Sequence, residues 1–582
     1  MLLILCAVVA YAPAIGAGYI WDDDILLAAN PQMQSAHGIA EIWQGKNSRD
    51  YTPVTLTSFW LEWQMWGNSA VGYHVGNILL HALSVVLLWR ILVMLGIPGA
   101  WLAALLFAIH PLNVASVAWI AELKNTLSGA FFFASILGFL HARKTGGRRF
   151  YIASIIFFLL AGLSKGAVVT LPLVLVGCIL WTDRKITRRD LLPLVPFAVI
   201  AAAVSLLTIR YQSRAVDYGL LPAGLPYRIA RAGMMMWRYP GEIFLPTGLS
   251  PMSPQWFPDL HSPFTWMPVC GVVLVIALFF LKRKSWGRPL LFASGYYLWM
   301  LLPVLGFIWM ALLQETPSAD WWQYLAAPGI FACVAAGFTV LLKRSVSTNV
   351  RHGLHALLGI VLALLFMQTW RRCAIYESME TYCRAVIAEN PHAWSMQNNL
   401  GIVLKQRGDL PAAIGCYRQA LIDNPRFMEA HNNLGNALAA SDKLPEAEAE
   451  FRAALLLRPG SSETLANLAD VCFKQGKVVE AYATQAEAIK ADRYNPARYT
   501  QFGMMFVANK QFDQAATCFK NALTLAPGDI TTQLNLVRSL LAAGHRREAT
   551  AACEEAMQTA LKSRDGKLIG MVASLLSQCR RP

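Results

Sequence analysis

Three consecutive acidic residues, Asp22, Asp23 and Asp24, stand directly behind the first apolar segment of the chain. Carboxylates are expensive to place at a membrane, so those that occur there usually have a function. One such function is to take a proton from an attacking hydroxyl group, and another is to bind a divalent cation. Neighbouring acids raise one another's pKa, which suits either role. The alternative is a helix end whose acids simply face water.

The composition indicates a polytopic membrane protein. Of the 582 residues, 56% are hydrophobic and only 15% are charged, which is unlike a soluble globular chain. Apolar runs long enough to cross a bilayer recur eleven times. They are the segments 2–20, 73–95, 99–117, 126–141, 151–164, 166–181, 191–209, 265–281, 289–310, 324–342 and 352–370.

Basic residues of the membrane half concentrate in short loops between these runs. The basic loops are 143–149, 184–189, 282–288 and 343–351. The positive-inside rule makes them cytoplasmic and accounts for much of the formal charge of +15 without nucleic acid as a partner. The loops 21–72 and 210–264, and everything after residue 370, are then predicted to lie outside the cytoplasm.

The C-terminal part of the chain carries a period of 34 residues. Three positions of the period are each followed through five repeats. Every residue at these positions is Gly or Ala, except Val537 in the first series. The three series are Gly401, Gly435, Ala469, Gly503 and Val537; Ala413, Ala447, Ala481, Ala515 and Ala549; and Ala420, Ala454, Ala488, Ala522 and Ala556. The pattern resembles the tetratricopeptide repeat (TPR), in which paired helices approach each other at small residues and stack into an α-solenoid.

The tail is accordingly predicted to contain a connecting helix over 373–390, five TPRs over 391–560 and a capping helix over 561–582. A concave groove that binds an extended segment of protein or peptide is the usual function of such a solenoid. The repeat residues themselves build the scaffold and do not identify that partner.

The membrane half carries a series of short motifs. They are Ile20-Trp21-Asp22-Asp23, Tyr51-Thr52-Pro53-Val54-Thr55, Tyr73-His74-Val75-Gly76-Asn77, His110-Pro111-Leu112-Asn113-Val114, Trp119-Ile120-Ala121-Glu122, Ser164-Lys165, and Ala319-Asp320 with Tyr324-Leu325. In this order they resemble membrane glycosyltransferases with the GT-C fold. More narrowly, the chain resembles the transmembrane and TPR-containing O-mannosyltransferase-like proteins and their bacterial relatives.

This resemblance implies an all-α fold, with a transmembrane helical GT-C-like domain over 1–372 followed by the TPR α-solenoid. It implies an inverting glycosyltransferase that moves a sugar from a polyprenyl-phosphate donor to a hydroxyl of protein Ser/Thr or a glycan on the extracytoplasmic side. The tail would bind the acceptor or a partner protein. Asp22 and Asp23 match the catalytic carboxylates of the family's first outer loop, with Asp22 slightly favoured and Asp24 the expected bystander.

Cationic groups are expected to face the departing phosphate, because negative charge accumulates on it. The resemblance points to His110, Lys124, Lys165 and Arg238 for this role. The alternatives are a helix-terminal position for His110 and snorkelling to the interface for the two lysines. Arg231, in the same loop as Arg238, would contact a phosphate or lipid headgroups.

Asp320, Trp321 and Tyr324 match a late outer motif and are expected in an acceptor or sugar pocket. Trp321 departs from the family, which commonly has Arg there. Arg binds phosphate through two parallel hydrogen bonds and Trp does not, although an indole ring stacks on a sugar. Asn125 is a second departure, because relatives often carry Asp there.

The expected ligands are a lipid-linked sugar as donor substrate and a protein or peptide in the TPR groove. No cofactor is firmly implied, and dependence on a divalent metal is left open. Residence in a bacterial inner membrane with a periplasmic tail follows from the resemblance and the loop charges.

Two other classes of function are compatible with the sequence. One is a non-catalytic membrane scaffold whose solenoid recruits partners at the cell envelope. The other is a transporter of lipid-linked sugars, which is less favoured because the spans show no internal repeat.

Overall fold

The computed structural model describes residues 1–46, 50–212, 224–307, 310–344, 347–563 and 565–580. Within these ranges every regular element is helical, which confirms the all-α fold class. The chain divides into two compact units, Met1–Asn399 and Leu400–Pro582. The predicted outer loops 21–72 and 210–264 and the predicted cap 561–582 each include residues that lie outside the described ranges.

The described N-terminal part of the first unit consists of one apolar helix followed by a segment with four further α-helices. Asn30 begins one of these helices, because its side chain accepts a hydrogen bond from the Gln32 amide at 3.0 Å. Pro53 occupies the first turn of the last of them, where a missing N–H is tolerated. The helices are α1 (Leu2–Ala10), α2 (Asp23–Leu26), α3 (Pro31–Gln34), α4 (Gly38–Gln44) and α5 (Pro53–Trp66).

The central part contains most of the long apolar helices. They are α6 (Ala70–Met94), α7 (Ala100–Ile109), α8 (Val114–Ala118), α9 (Leu123–Thr145), α10 (Arg148–Ser164), α11 (Leu171–Asp183), α12 (Arg188–Leu191) and α13 (Val195–Gln212). The bend of 51° after α7 follows from Pro111, which lacks an N–H to continue the helix.

Five further α-helices and the connecting helix complete the first unit. They are α14 (Leu225–Phe244), α15 (Met267–Leu281), α16 (Gly287–Leu301), α17 (Ala327–Arg344), α18 (Thr348–Cys373) and α19 (Met379–Glu389). α14 is strongly amphipathic, with Tyr227, Arg231 and Tyr239 buried on one face. A 3₁₀ turn at Asp320–Gln323 leads into α17.

Seven helical segments of the described residues are long and apolar enough to span a membrane, and the bent pair at Pro111 makes up to eight. All eleven predicted apolar runs coincide with helices, but α1, α10 and α16 contain 9, 17 and 15 residues and fall below that length. The structure therefore supports an integral membrane protein, and the prediction of eleven spans stays a prediction.

The tail contains five helix pairs and a final helix. They are α20 (Trp394–Gln406) with α21 (Leu410–Asp423), α22 (Met428–Ala440) with α23 (Leu444–Leu457), α24 (Ser462–Lys474) with α25 (Val478–Ala491), α26 (Pro496–Ala508) with α27 (Phe512–Leu525), α28 (Ile530–Ala542) with α29 (Arg546–Ser563), and α30 (Gly566–Arg580). The division between the two compact units falls within α20.

The period of small residues has a direct steric reason. A Cβ atom on Gly435 would lie 2.7 Å from the ring of Phe451, and one on Gly503 would lie 2.6 Å from the ring of Phe519. Each aromatic residue follows its glycine by 16 positions in the sequence, so the second helix of a repeat places its ring on the first. Glycine is therefore required for the close approach of the two helices.

Candidate functional site

Glu122 lies at the centre of a group of charged side chains in the membrane half. It is completely buried, and its carboxylate pairs with Lys124 at 3.0 Å and with Lys165 at 3.7 Å. These three groups carry one negative and two positive charges, and the Asp50 carboxylate also lies within electrostatic range of both lysines. We call Glu122, Lys124, Asn125 and Lys165 the Glu122 cluster.

Asn125 connects the members of the Glu122 cluster. Its side-chain amide donates a short hydrogen bond to Glu122, and its side-chain oxygen accepts a short hydrogen bond from Lys165. The same amide group lies 3.0 Å from the Ser116 hydroxyl. An aspartate in this place would have no N–H to donate to the Glu122 carboxylate, so Asn is the residue that fits these partners.

Lys165 follows α10 in an extended backbone conformation, so its side chain reaches the cluster from a neighbouring helix. Burial lowers the pKa of Lys165 to about 8, with Glu122 acting in the opposite direction and Lys124 in the same direction. Removal from water disfavours the charged amine. Lys165 is therefore charged at neutral pH and becomes neutral under mildly alkaline conditions.

The acidic triplet separates into three different environments. Asp23 is buried, and its two oxygens accept backbone hydrogen bonds from Ile20 at 2.9 Å and from Ala121 at 2.8 Å. Burial raises the pKa of Asp23 well above its ordinary value, although these hydrogen bonds act in the opposite direction. Asp23 thus fixes the acidic loop against the residue that precedes Glu122.

Asp22 is half-buried and Asp24 is exposed. The Asp22 carboxylate lies within electrostatic range of Lys124 and of Tyr382. Asp22 is thus close enough to Lys124 for their charges to interact, and its catalytic role stays a prediction.

Aromatic rings pack together between the acidic loop and Lys124. Trp21 stacks on Trp119 with ring centroids 5.2 Å apart and an angle of 6° between the planes. Tyr382, from α19, contacts both rings, with centroid distances of 6.0 and 6.3 Å. Lys124 lies 5.9 Å above the Trp119 ring. The connecting helix is thus part of the site, because it covers the acidic loop.

Asp320 pairs with an arginine that the sequence analysis did not assign. Arg372, at the end of α18, donates a hydrogen bond of 2.6 Å to Asp320 and one of 2.7 Å to the Leu249 carbonyl. Burial raises the pKa of Asp320, while Arg372 acts against this shift. The guanidinium group beside Asp320 thus comes from α18, and the next residue, Trp321, does not supply it.

Arg238 belongs to a neighbouring polar network. Its guanidinium group pairs with Glu242 at 2.9 Å, and the second Glu242 oxygen accepts a hydrogen bond of 2.7 Å from Gln323. Burial raises the pKa of Glu242 to about 7, with Arg238 acting in the opposite direction. The Arg238 side chain is 33% exposed, so it remains accessible to an anionic ligand.

His110 does not fit the expected phosphate contact in this conformation. It is buried, its Nε2 donates to the Ile243 carbonyl at 2.9 Å, and its Nδ1 accepts from the Leu112 amide at 3.2 Å. Donation from one nitrogen and acceptance by the other define a neutral imidazole. The helix-terminal alternative describes His110 better.

Two residues of the expected sugar pocket lie in the core instead. Tyr324 is 1% exposed and its hydroxyl lies 3.0 Å from His81 Nδ1. Trp321 is 4% exposed and meets Trp119 edge to face at 5.3 Å. Aromatic residues often fill the space between packed helices, and the sequence alone does not distinguish this structural role from sugar binding.

Arg231 also differs from its expected headgroup contact. It is 2% exposed, and one of its nitrogens lies 3.0 Å from the Thr316 carbonyl and 3.3 Å from the Leu313 carbonyl. Burial on the inner face of amphipathic α14 separates it from Arg238, which lies on a more exposed part of the same helix.

Sequence reasoning missed Glu122, Arg372 and Tyr382 as members of this site. Glu122 stood at the end of a quoted motif, two positions before Lys124, and an acid so close in sequence to an assigned cation was a usable signal. Arg372 follows Trp370 and Arg371 at a predicted span end, where basic residues are ordinary. Tyr382 lies in the connecting helix and carried no signal.

Among the described residues, the side chains whose ligand atoms are close enough for a metal ion are Glu448, Cys472 and Glu480 in the tail. Lys477 pairs with Glu448 at 2.7 Å and Arg452 pairs with Glu480 at 2.7 Å. Positive charge from both basic residues opposes cation binding there, so this group acts as an ion-pair network.

Comparison with known proteins agrees with both parts of the sequence analysis. The family model described as tetratricopeptide repeat matches residues 398–463 and 433–496. The mouse protein O-mannosyl-transferase TMTC4 is 24% identical over 492 residues, which cover 71% of this chain and 64% of that protein. The human TMTC4 protein is 24% identical over 490 residues with the same coverage.

The chain is related to the transmembrane and TPR-containing O-mannosyltransferase-like proteins. A further relative, protein O-mannosyl-transferase F38B6.6 of Caenorhabditis elegans, is 25% identical over 189 residues, which cover 30% of this chain and 27% of that protein. The chain spans 64% of the length of the TMTC4 proteins that it matches.

Solved TPR structures are also similar to part of the chain. The crystal structure of MamA is 20% identical and covers 29% of this chain and 92% of its own, with a TM-score of 0.27. The crystal structure of YrrB, a TPR protein with an unusual peptide-binding site, is 20% identical and covers 33% of this chain and 97% of its own, also with a TM-score of 0.27.

Proposed function

We propose that this relative of the O-mannosyltransferase-like proteins is an integral-membrane glycosyltransferase of the GT-C type. It moves a sugar from a polyprenyl-phosphate donor to a hydroxyl of a protein or glycan on the extracytoplasmic side, with inversion at the sugar carbon. The observation that carries the proposal is the half-buried Asp22 within electrostatic range of Lys124, which shares the buried Glu122 with Lys165. A proton acceptor and a phosphate-binding group are thus combined in one place.

Asp22 is the proposed general base. It removes the proton of the acceptor hydroxyl as the oxygen attacks the sugar carbon, and the bond from that carbon to the lipid phosphate breaks on the opposite side. Asp23 is a positioning residue, because both of its oxygens already accept backbone hydrogen bonds. This assignment divides a role that the sequence analysis gave to both residues.

Lys124 and Lys165 are the proposed partners of the departing phosphate. Glu122 holds both ammonium groups in place and offsets part of their mutual repulsion. Cations that are already positioned stabilise a charge that develops in the transition state more effectively than mobile ones do. Arg238 and Arg372 supply further guanidinium groups in the same unit.

The TPR tail is proposed to bind the acceptor protein or a partner. The protein is proposed to be located in a bacterial inner membrane, with its tail in the periplasm. The support is the repeat family itself and the basic loops on one side of the predicted spans. A non-catalytic scaffold is the alternative, and it has no need for a buried carboxylate between two lysines.

The test is sugar transfer by purified protein in detergent, supplied with a panel of radiolabelled polyprenyl-phosphate sugars and cell-envelope protein. Asp22→Asn should lower transfer by about 10²- to 10⁴-fold, as expected for loss of a general base. The matched control is Asp24→Asn, two positions away and exposed, which should keep wild-type transfer.

Equal transfer by wild type and Asp22→Asn would refute the assignment of the base. Lack of transfer from every donor by the wild-type protein, while its tail still captures envelope proteins, would favour the scaffold. A metal requirement is examined in the same assay by adding a chelator and then restoring Mg²⁺ or Mn²⁺.

A further inference from the structure

A cavity of about 400 Å³ lies between the helices of the membrane half, away from the charged site. Its lining is almost entirely apolar and comes from α6, α9, α11, α16 and α17. Representative lining residues are Leu92, Phe133, Gly177, Trp181, Phe292 and Ala336. Four of these helices, α6, α9, α11 and α17, are long and apolar enough to span a membrane, counting the short turns that precede α9 and α11. The cavity between them therefore faces the hydrocarbon region.

One end of the cavity carries a positive charge at a defined place. Arg288, at the start of α16, donates hydrogen bonds to the Trp181 carbonyl at 2.8 Å and to the Leu180 carbonyl at 3.2 Å. Its guanidinium group lies 5.2 Å from the Trp181 ring and 5.7 Å from the Phe292 ring. Because both rings line the cavity, Arg288 is held at its rim.

Among the described residues, no acidic side chain forms an ion pair with Arg288, whose described hydrogen bonds go to backbone carbonyls. The guanidinium group has five N–H donors in total. Further donors therefore remain for an anion, and the phosphate group is one that a guanidinium binds with good geometry.

The helices around this rim end in exposed basic residues. α11 is followed by Arg184 and Lys185, α16 is preceded by Lys282 to Lys284, and α17 ends at Lys343 and Arg344. Asp183, the last residue of α11, pairs with Arg143 at 2.5 Å. This end of the helices is consequently positive, which attracts anionic lipid headgroups.

We propose that this cavity binds an acyl chain of an anionic glycerophospholipid, with the phosphate of the same lipid bound by Arg288. An apolar space beside one fixed cation complements a lipid that has an apolar chain attached to a phosphate. The cavity is a lipid site separate from the proposed sugar transfer, and it does not depend on that activity.

The experiment is native mass spectrometry of the full chain in mild detergent, titrated with phosphatidylglycerol, phosphatidylcholine or a polyprenyl phosphate. The wild-type protein should bind phosphatidylglycerol about tenfold more tightly than phosphatidylcholine, because both lipids present a phosphate but the choline ammonium of phosphatidylcholine is repelled by Arg288. Arg288→Gln should abolish this preference. Arg148→Gln is its matched control, because it removes an exposed charge from α10, a helix that does not line the cavity.

Filling the cavity should displace the lipid without a change in charge. A Cβ on Gly177 makes an ordinary contact of 3.6 Å with Trp299, so Gly177→Leu extends its side chain within the cavity and should reduce phosphatidylglycerol binding about tenfold. Ala336→Leu fills the same space from α17 and should have the same effect. Gly295→Leu is the control, because it lies on α16 outside the lining with open space around its Cβ.

The proposal is overturned if the wild-type protein binds both phospholipids equally, or if both cavity-filling variants retain phosphatidylglycerol. It is also overturned if Gly177→Leu and Arg288→Gln lose binding of the polyprenyl phosphate but retain binding of phosphatidylglycerol. That outcome would make the cavity a site for the sugar carrier.

Discussion

The two units of the chain use charged residues in opposite ways. In the tail, ion pairs between residues 28 positions apart recur with the repeat, such as Arg418 with Glu446 at 3.1 Å and Lys520 with Glu548 at 2.8 Å. These side chains are about half exposed. In the membrane half, Glu122 and Asp320 are buried and take their partners from other segments. Charge thus follows the repeat in the tail and builds a local site in the membrane half.

The largest test of this difference is Glu122→Gln, which keeps the size of the side chain and removes its charge. Two lysines then lose their buried partner, and the loss of one member of a buried ion pair costs about 3 kcal/mol or more. We expect a clearly lower thermal midpoint in detergent together with reduced sugar transfer. An unchanged midpoint would show that the Glu122 cluster does not hold the site together.

Steric fit in the tail should give an intermediate effect. Gly435→Ala places a Cβ within 2.7 Å of the Phe451 ring, and overpacking of this kind costs about 1 to 3 kcal/mol. Hydrogen exchange of the full chain should show faster exchange in α22 and α23.

The matched control for that substitution is Gly415→Ala. Gly415 lies within α21 and its Cβ would meet nothing within 4 Å, so Ala should stabilise the helix by about 0.5 to 1 kcal/mol. The same sign of effect at both positions would contradict the steric account of the repeat.

A smaller effect is expected from the titration of Lys165, whose pKa is about 8. Because an amine is charged below its pKa, wild-type transfer should decline as the pH rises above about 8. Lys165→Arg keeps its charge throughout this range and should move the alkaline decline upward. The measurement is the pH profile of transfer, and identical profiles for the two proteins would remove Lys165 from the phosphate contact.

The smallest effect should come from Glu446→Gln in the tail. Its pair with Arg418 is about half exposed on both sides, and such pairs contribute at most about 1 kcal/mol. Hydrogen exchange of α21 and α23 should change little, and less still at high salt. A loss as large as that of Glu122→Gln would abolish the contrast between the two units.

The sequence predicted those features that depend on local pattern. The apolar runs predicted the membrane helices, and the small residues at 34-residue intervals predicted the repeats. The repeats were predictable because the helices of a solenoid pair with their neighbours in the chain. The order of family motifs predicted that Asp22, Lys124 and Lys165 belong to one site, and the structure places Asp22 within electrostatic range of Lys124.

The remaining parts of the site depend on contacts between distant segments. Nothing in the local sequence of Arg372 or Tyr382 reveals that they approach Asp320 and Trp21. Tyr324 shows the opposite problem, because a tyrosine in a functional motif and a tyrosine in a helix core have the same local sequence. Burial and partners distinguish them only once the chain is folded.

The contact between the acidic loop and the connecting helix has a consequence for biogenesis. The Gly18 amide donates a hydrogen bond of 3.0 Å to the Glu377 carbonyl, and the Trp21 amide lies 3.1 Å from the Met379 sulfur. During synthesis the loop leaves the ribosome first, whereas its cover leaves only after the last long apolar helix has been made. The site therefore matures late, and a nascent chain that stops at residue 372 would insert its helices into the membrane while Trp21 still lacked its cover.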